Sequence, residues 1–308
     1  MLMPPLLLLL RRLGRPLCAA AALAAALFAG PAPAQPVSPP QPEPTAARPC
    51  PPATPPLGVE QVQQGMRDAR DRGYLWRIRK DGRDSWLYGT LHVARLPWMF
   101  PGPKTLRALR ESDRLALELD LLDPDISRRL QALIAAHKDV TPLPALLATR
   151  MAAQTDAACV GTKLGALRPE MQAVTLMALA GRPDGLDPSY GIDNFLAGLA
   201  HGLKKPVLSL ETPEAQIALL SPADTAERNK MVQTMLDELE RGDAQRVMLR
   251  MAMAWADGRL DELQSYGDWC DCLDTPEQRD FHRRLVDERN LVLARRIDAI
   301  HEAGHRVF

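Results

Sequence analysis

This sequence predicts an α/β fold, more closely α+β, built on a central mixed β-sheet with a large helical insertion. Three observations carry that expectation. Short apolar segments with strand character alternate with helical stretches along the chain. The segment 115–119 (LALEL) is apolar on both faces, as a strand in the middle of a sheet must be. From 125 to 203 the pattern is mainly helical, broken at Thr141-Pro142, Arg168-Pro169 and 182–188.

Taken along the chain, a short polar helix is expected over 59–72. Residues 75–79 (LWRIR) alternate apolar and basic side chains, 80–83 (KDGR) supply a turn, and 85–93 (SWLYGTLHV) return as the second strand of a hairpin. Pro103 opens a helix that runs to Glu111, ahead of the apolar strand at 115–119. After the helical insertion, 205–211 (KPVLSLE) is another strand, and Thr212-Pro213-Glu214 is a capped helix start. Helices fill 222–266. A long helix over 276–303 leads into Arg306-Val307-Phe308, the first residues of a further strand.

The N-terminal region reads differently. Arg11, Arg12 and Arg15 precede an apolar run at 17–30, and Ala32-Pro33-Ala34 is an A-x-A cleavage site, so residues 1–34 are expected to be a secretory signal that leaves Gln35 first. Membrane contact is then expected only through an uncleaved signal. Twelve of the 28 prolines fall within 31–56, which makes 35–56 an extended linker with too little apolar surface to fold. One domain is expected over 57–308. Without the signal the net charge is −3, with no basic patch, so nucleic acid is not an expected partner.

Four cysteines follow the signal: Cys50, Cys159, Cys270 and Cys272. An even count in an exported chain reads as two disulfides. Bonding Cys270 to Cys272 would close a very small ring, so each is expected to join Cys50 or Cys159 instead. Zinc is the competing reading of Cys270-Asp271-Cys272, but C-x-C is not the C-x-x-C spacing of zinc sites and no second pair follows.

Chemistry is sought at strand ends, where open α/β sheets place ligands. In Gly89-Thr90-Leu91-His92 a histidine leaves a strand, and the glycine would permit close backbone approach. Glu118 sits among leucines, and a buried carboxylate needs a cation, a metal or hydrogen bonds to offset a cost of roughly several kcal/mol. Its bland alternative is a solvated position. Glu211 ends the 205–211 strand and is equally readable as an acid stabilised by the following helix dipole. His301-Glu302-Ala303-Gly304-His305 matches H-E-x-x-H, but Gly304 should end the helix inside the motif, so it is not expected to bind zinc. His137, His201 and His282 are expected at solvated helix positions.

In order and context, these segments resemble the TraB/GumN family, which includes the Tiki-type proteases. The resemblance spans 74–308: LWRI at 75–78, LYGTLH at 87–92 as a first G-x-x-H, LALELD at 115–120, Gly185-Leu186-Asp187 with Tyr190-Gly191-Ile192-Asp193, KPVLSLET at 205–212, and Glu288-Arg289-Asn290. It implies a fold related to erythromycin-esterase and haem-binding ChaN-type proteins and, for some members, a metal-dependent peptidase. It further implies His92 as a metal ligand, Glu118 as ligand or water-activating base, and Asp193 and Glu211 as further ligands or supporting carboxylates. Arg289 would pair with a carboxylate or steady an oxyanion, with Asn290 beside it. The family's second G-x-x-H follows the last long helix, whereas this chain stops at Phe308, so the domain is expected to be C-terminally incomplete. With one histidine and carboxylates, a divalent ion such as Mn²⁺ suits the set better than Zn²⁺. Two functions follow: a periplasmic or secreted metal-dependent hydrolase of peptide or protein substrates, or a non-catalytic envelope binding protein linked to exopolysaccharide assembly.

Overall fold

The structure is a computed structural model that describes Cys50 and residues 57–135 and 141–308. The expected signal, nearly all of the linker, and His137 lie outside the described residues. The chain is mixed α and β, with helices α1 (Val59–Asp68), α2 (Pro103–Glu111), α3 (Pro124–Ile134), α4 (Ala145–Ala157), α5 (Pro169–Leu179) and α6 (Ile192–Gly202). They continue with α7 (Pro213–Leu220), α8 (Thr225–Arg241), α9 (Asp243–Ala256), α10 (Leu260–Gln264), α11 (Pro276–His282) and α12 (Arg289–Glu302). Among the described residues, no helix is long and apolar enough to cross a membrane.

The strands are β1 (Tyr74–Lys80), β2 (Arg83–Gly89), β3 (Leu115–Leu117) and β4 (Val207–Ser209). β1 and β2 form an antiparallel hairpin with Lys80 opposite Arg83. Its two-residue turn needs left-handed backbone at both positions, which Asp81 (φ 51°) and Gly82 (φ 73°) adopt. β3 and β4 pair in parallel, Leu115 opposite Val207 and Leu117 opposite Ser209. The expected single sheet is therefore built as two pairs, and the last residues of the chain link them. Trp86 N–H donates to Val307 C=O at 2.7 Å, while Phe308 N–H donates to Arg114 C=O at 3.0 Å and Ala116 N–H to Phe308 C=O at 2.8 Å.

Several strands are shorter than expected. The return strand stops at Gly89, so His92 lies in a loop, and β3 stops at Leu117, so Glu118 is the first residue beyond it. The helical tract after Pro276 has a wider π turn at Arg283–Glu288, which separates α11 from α12.

Caps explain the helix starts. Asp123 accepts from the amides of Asp125 (2.8 Å) and Ile126 (3.4 Å), Thr212 from that of Ala215 (3.2 Å), and Asp224 from that of Glu227 (2.9 Å). Two apolar cores result. One gathers Leu109, Leu115, Leu117, Leu196, Trp255 and Phe308 around the strands. The other, with Leu147, Met151, Leu176, Val232 and Leu236, lies among α4, α5 and α8. The dipole at the end of α12 is followed by Gly304 (φ 92°), so the H-E-x-x-H histidines part company. His301 is buried, and His305 meets the Arg114 guanidinium at 2.8 Å.

His301 instead helps to fasten the segment 306–308. Its Nε2 lies 2.9 Å from Lys80 C=O, so Nε2 carries the proton and Nδ1 accepts from the Ser85 hydroxyl at 2.8 Å. Ser85 Oγ also accepts from Val307 N–H at 3.1 Å. Ser85→Ala should thus leave two buried polar groups unpaired and lower stability by about 1–3 kcal/mol. Faster hydrogen exchange at the Val307 amide, by more than at any α8 amide, is the expected readout.

The disulfides correct the expected pairing. Cys50 bonds Cys159, and Cys270 bonds Cys272 with a Cα–Cα distance of 5.0 Å. The small ring closes because Asp271 adopts left-handed backbone (φ 52°), which folds the chain back on itself.

Candidate functional site

His92 reaches the site because its loop is pinned by the start of α6. Ile192 N–H donates to Leu91 C=O at 3.0 Å, and a Cβ on Gly191 would lie 3.0 Å from the His92 carbonyl oxygen and 3.2 Å from that of Pro188, so any larger residue there would press on the His92 loop. Gly89 has no such role: a Cβ there would meet nothing nearer than 3.9 Å. Asp193, in the first turn of α6, sits where the helix dipole favours a carboxylate. His92 Nδ1–H donates to Asp193 Oδ2 at 2.7 Å, and Thr90 Oγ1–H donates to Asp193 Oδ1 at 2.5 Å. With Nδ1 fixed in this way, His92 Nε2 faces Glu118 Oε2 at 3.5 Å.

Glu118 and Glu211 arrive side by side from the parallel pair, and Glu211 N–H donates to Glu118 C=O at 3.0 Å. α12 supplies their counter-charge. Arg289 binds Glu211 through two nitrogens, Nε to Oε1 at 2.8 Å and Nη2 to Oε2 at 2.6 Å, and its Nη2 also meets Glu118 Oε2 at 2.6 Å. The Gln216 amide donates to Glu211 Oε2 at 2.9 Å, and Arg296 donates to Leu210 C=O. Glu211 is thus a buried partner of arginine rather than a solvated helix-start acid. Asn290 lines a cavity of about 430 Å³ together with Thr90, Glu118, Asp193 and Phe308.

Electrostatics bind these groups into one unit. Hydrogen bonds to Asp193 and then Glu118 raise the His92 pKa to about 10, against a partial loss of solvation, although the side chain is 67% exposed. Burial pushes Glu118 up, but His92 and Arg289 outweigh it and hold the carboxyl at about 2. The Arg289 pKa rises, chiefly through its bond to Glu211. His92 is therefore an imidazolium at neutral pH. Because its pKa is raised, its stabilising contribution is full below about 6.5 and is lost as pH climbs through about 10. Glu118, with a lowered pKa, contributes fully above about 4.5 and loses that contribution as pH falls toward about 2. An NMR titration should place the His92 midpoint near 10, and Asp193→Asn should return it toward 6.5.

The resemblance implies a divalent ion, and the donor set can be tested against it. His92 Nε2 and Glu118 face one another, and Asp193 orients the imidazole as carboxylates behind metal-bound histidines do. Two donors are too few. Among the described residues, no group of three or more His, Cys, Asp or Glu could hold an ion. The Arg289 cation also stands directly against both Glu118 and Glu211. The described residues do not complete a metal site.

Sequence reading missed Thr90, Gly191, Gln216 and Arg296. Thr90 and Gly191 lay inside quoted motifs, and their positions close to His92 and Asp193 were the available signal. Gln216 and Arg296 carry none, since each acts from an ordinary helix. His201 lies at an exposed position of α6, as expected, and its Nε2 also pairs with buried Asp120 at 2.8 Å. His282 stacks on Tyr266 at 6.2 Å. A search among curated proteins finds no match, and a search among solved structures finds none either. The model of the TraB/PrgY/gumN family matches residues 74–308, from the first strand through the site to Phe308; the chain belongs to that family.

Proposed function

We propose that this chain is an exported hydrolase of peptide or protein substrates, with His92 and Glu118 as its proton-handling pair. The observation that supports the reading is the long 3.5 Å approach of His92 Nε2 to Glu118 Oε2, beside a cavity large enough for a peptide segment. A substrate carbonyl oxygen that displaces Glu118 from His92 would accept from Nε2–H, and a water beside Glu118 would give its proton to that carboxylate. The water oxygen bonds the carbonyl carbon, the imidazolium steadies the oxyanion, and Glu118 returns the proton to the amine as the C–N bond breaks. Asp193 keeps the imidazole aimed, and Arg289 keeps Glu118 ionised until substrate loosens its contacts. Residues 1–34 and the paired cysteines support a periplasmic or secreted location. No partner of nucleic-acid type is part of this reading.

Incubation with a peptide library, with and without Mn²⁺, tests it by mass spectrometry of the products. Cleavage that falls at least about 100-fold in both His92→Ala and Glu118→Gln is expected. Cleavage unchanged in both variants overturns the assignment. Activity that appears only with Mn²⁺ would assign the metal a role that the described donors alone do not account for. A second reading, an envelope binding protein of exopolysaccharide assembly, is favoured by the mutual pairing of His92, Asp193, Glu118, Arg289 and Glu211. Saturable peptide or oligosaccharide binding without turnover would select it.

A further inference from the structure

The Cys270–Cys272 bond stands apart from the other disulfide in place and surroundings. One residue separates its cysteines, and that residue, Asp271, holds a left-handed backbone (φ 52°) that few residues other than glycine adopt. The two sulfurs are not equivalent. Cys270 is buried at 2% exposure, whereas Cys272 is partly exposed and follows exposed Asp271. Cys272 N–H donates to Cys270 Sγ at 3.1 Å. The Tyr266 hydroxyl lies 2.8 Å from Cys272 Sγ, and because a disulfide sulfur bears no proton, the hydroxyl is the donor. Arg246 ties the middle of the loop through Asp271 Oδ2 at 3.0 Å.

We propose that Cys270–Cys272 is a thiol-exchange site, open to small thiols such as glutathione, while Cys50–Cys159 is a fixed structural cross-link. The thiolate attacks the accessible sulfur, Cys272. The new bond joins the incoming sulfur to Cys272 Sγ, the Cys270–Cys272 bond breaks, and its electron pair leaves on Cys270. That leaving thiolate is met by the Cys272 N–H already directed at it, which favours departure from the buried side. A second thiol attacking the mixed disulfide releases the oxidised thiol dimer and leaves both cysteines reduced, so two external thiols supply the two electrons. Opening the ring also frees Asp271 to leave its left-handed conformation; Cys159 is left-handed as well (φ 57°), so the two bonds differ instead in the loop each closes, a sequence separation of 2 against 109. The inference is independent of the hydrolytic reading.

The test is a redox titration of the intact protein in glutathione buffers, followed by alkylation and peptide mass spectrometry. Cys270 and Cys272 should become half-labelled at a reducing poise at least about tenfold milder than Cys50 and Cys159. In Cys270→Ser, oxidised glutathione should form an adduct on Cys272 rapidly, while in Cys272→Ser adduct formation on Cys270 should be at least about tenfold slower, because that sulfur is buried. Coincident titration of both disulfides overturns the proposal, as does equal adduct formation in the two variants. The titration uses the native chain, so it decides the matter even where a serine variant fails to fold.

Discussion

Replacing Arg289 with methionine is expected to lower the folding stability by about 3–5 kcal/mol, the effect of stranding buried charge when one partner of an ion pair is removed. Arg289 is 18% exposed and holds two carboxylates, of which Glu211 is 7% exposed at its side chain. Methionine keeps much of the side-chain length but leaves Glu211 and Glu118 adjacent, both acidic and without their cation. The Gln216 amide, 2.9 Å from Glu211, is a dipole and does not replace a charge. Equilibrium urea unfolding measures the loss. Adding Glu211→Gln to the variant should recover part of it, because the stranded buried charge disappears; no recovery would show that Arg289 matters through packing of α12 instead. The same variant should raise the Glu118 pKa, since Arg289 is one of the groups that hold it near 2.

Removing Cys50–Cys159 by a double alanine replacement should cost about 2–5 kcal/mol. The bond closes a loop with a sequence separation of 109, and long loops forfeit the most conformational freedom when cross-linked in the unfolded chain. It also joins a cysteine upstream of α1 to Cys159, just beyond α4 at the margin of the helical core. Thermal unfolding of wild type and variant gives the number. A loss below about 0.5 kcal/mol would mean that the unfolded chain is already restrained near Cys159 by other structure.

What the sequence disclosed, and what it concealed, follows from how local each cause is. The hairpin was readable because Asp81-Gly82 encode a two-residue turn on their own. The apolar strands were readable as elements but not in length, because Glu118 and Glu211 leave their strands to meet Arg289, and nothing near either residue announces that arginine. His92 and Glu118 stood out as polar groups in apolar settings. Their chemical state did not, because it depends on Asp193, 101 residues from His92. The cysteine pairing failed for a local reason: the ring argument assumed an ordinary backbone at Asp271, and aspartate is among the few residues that tolerate the left-handed one.

The way the last residues link the two strand pairs bears on the timing of folding. Asp113 and Arg306, 193 residues apart, are joined by backbone and side-chain hydrogen bonds, and Val307 and Phe308 complete the link between β2 and β3. A ribosome that releases residues in order cannot supply those partners until residues 306–308 emerge. The α4, α5 and α8 core can condense earlier from shorter loops, whereas the sheet and the charged cluster beside it must wait. Folding should therefore show a fast helical phase and a slower phase in which the hairpin, β3 and residues 306–308 lock together, with the His92 environment appearing only in the second.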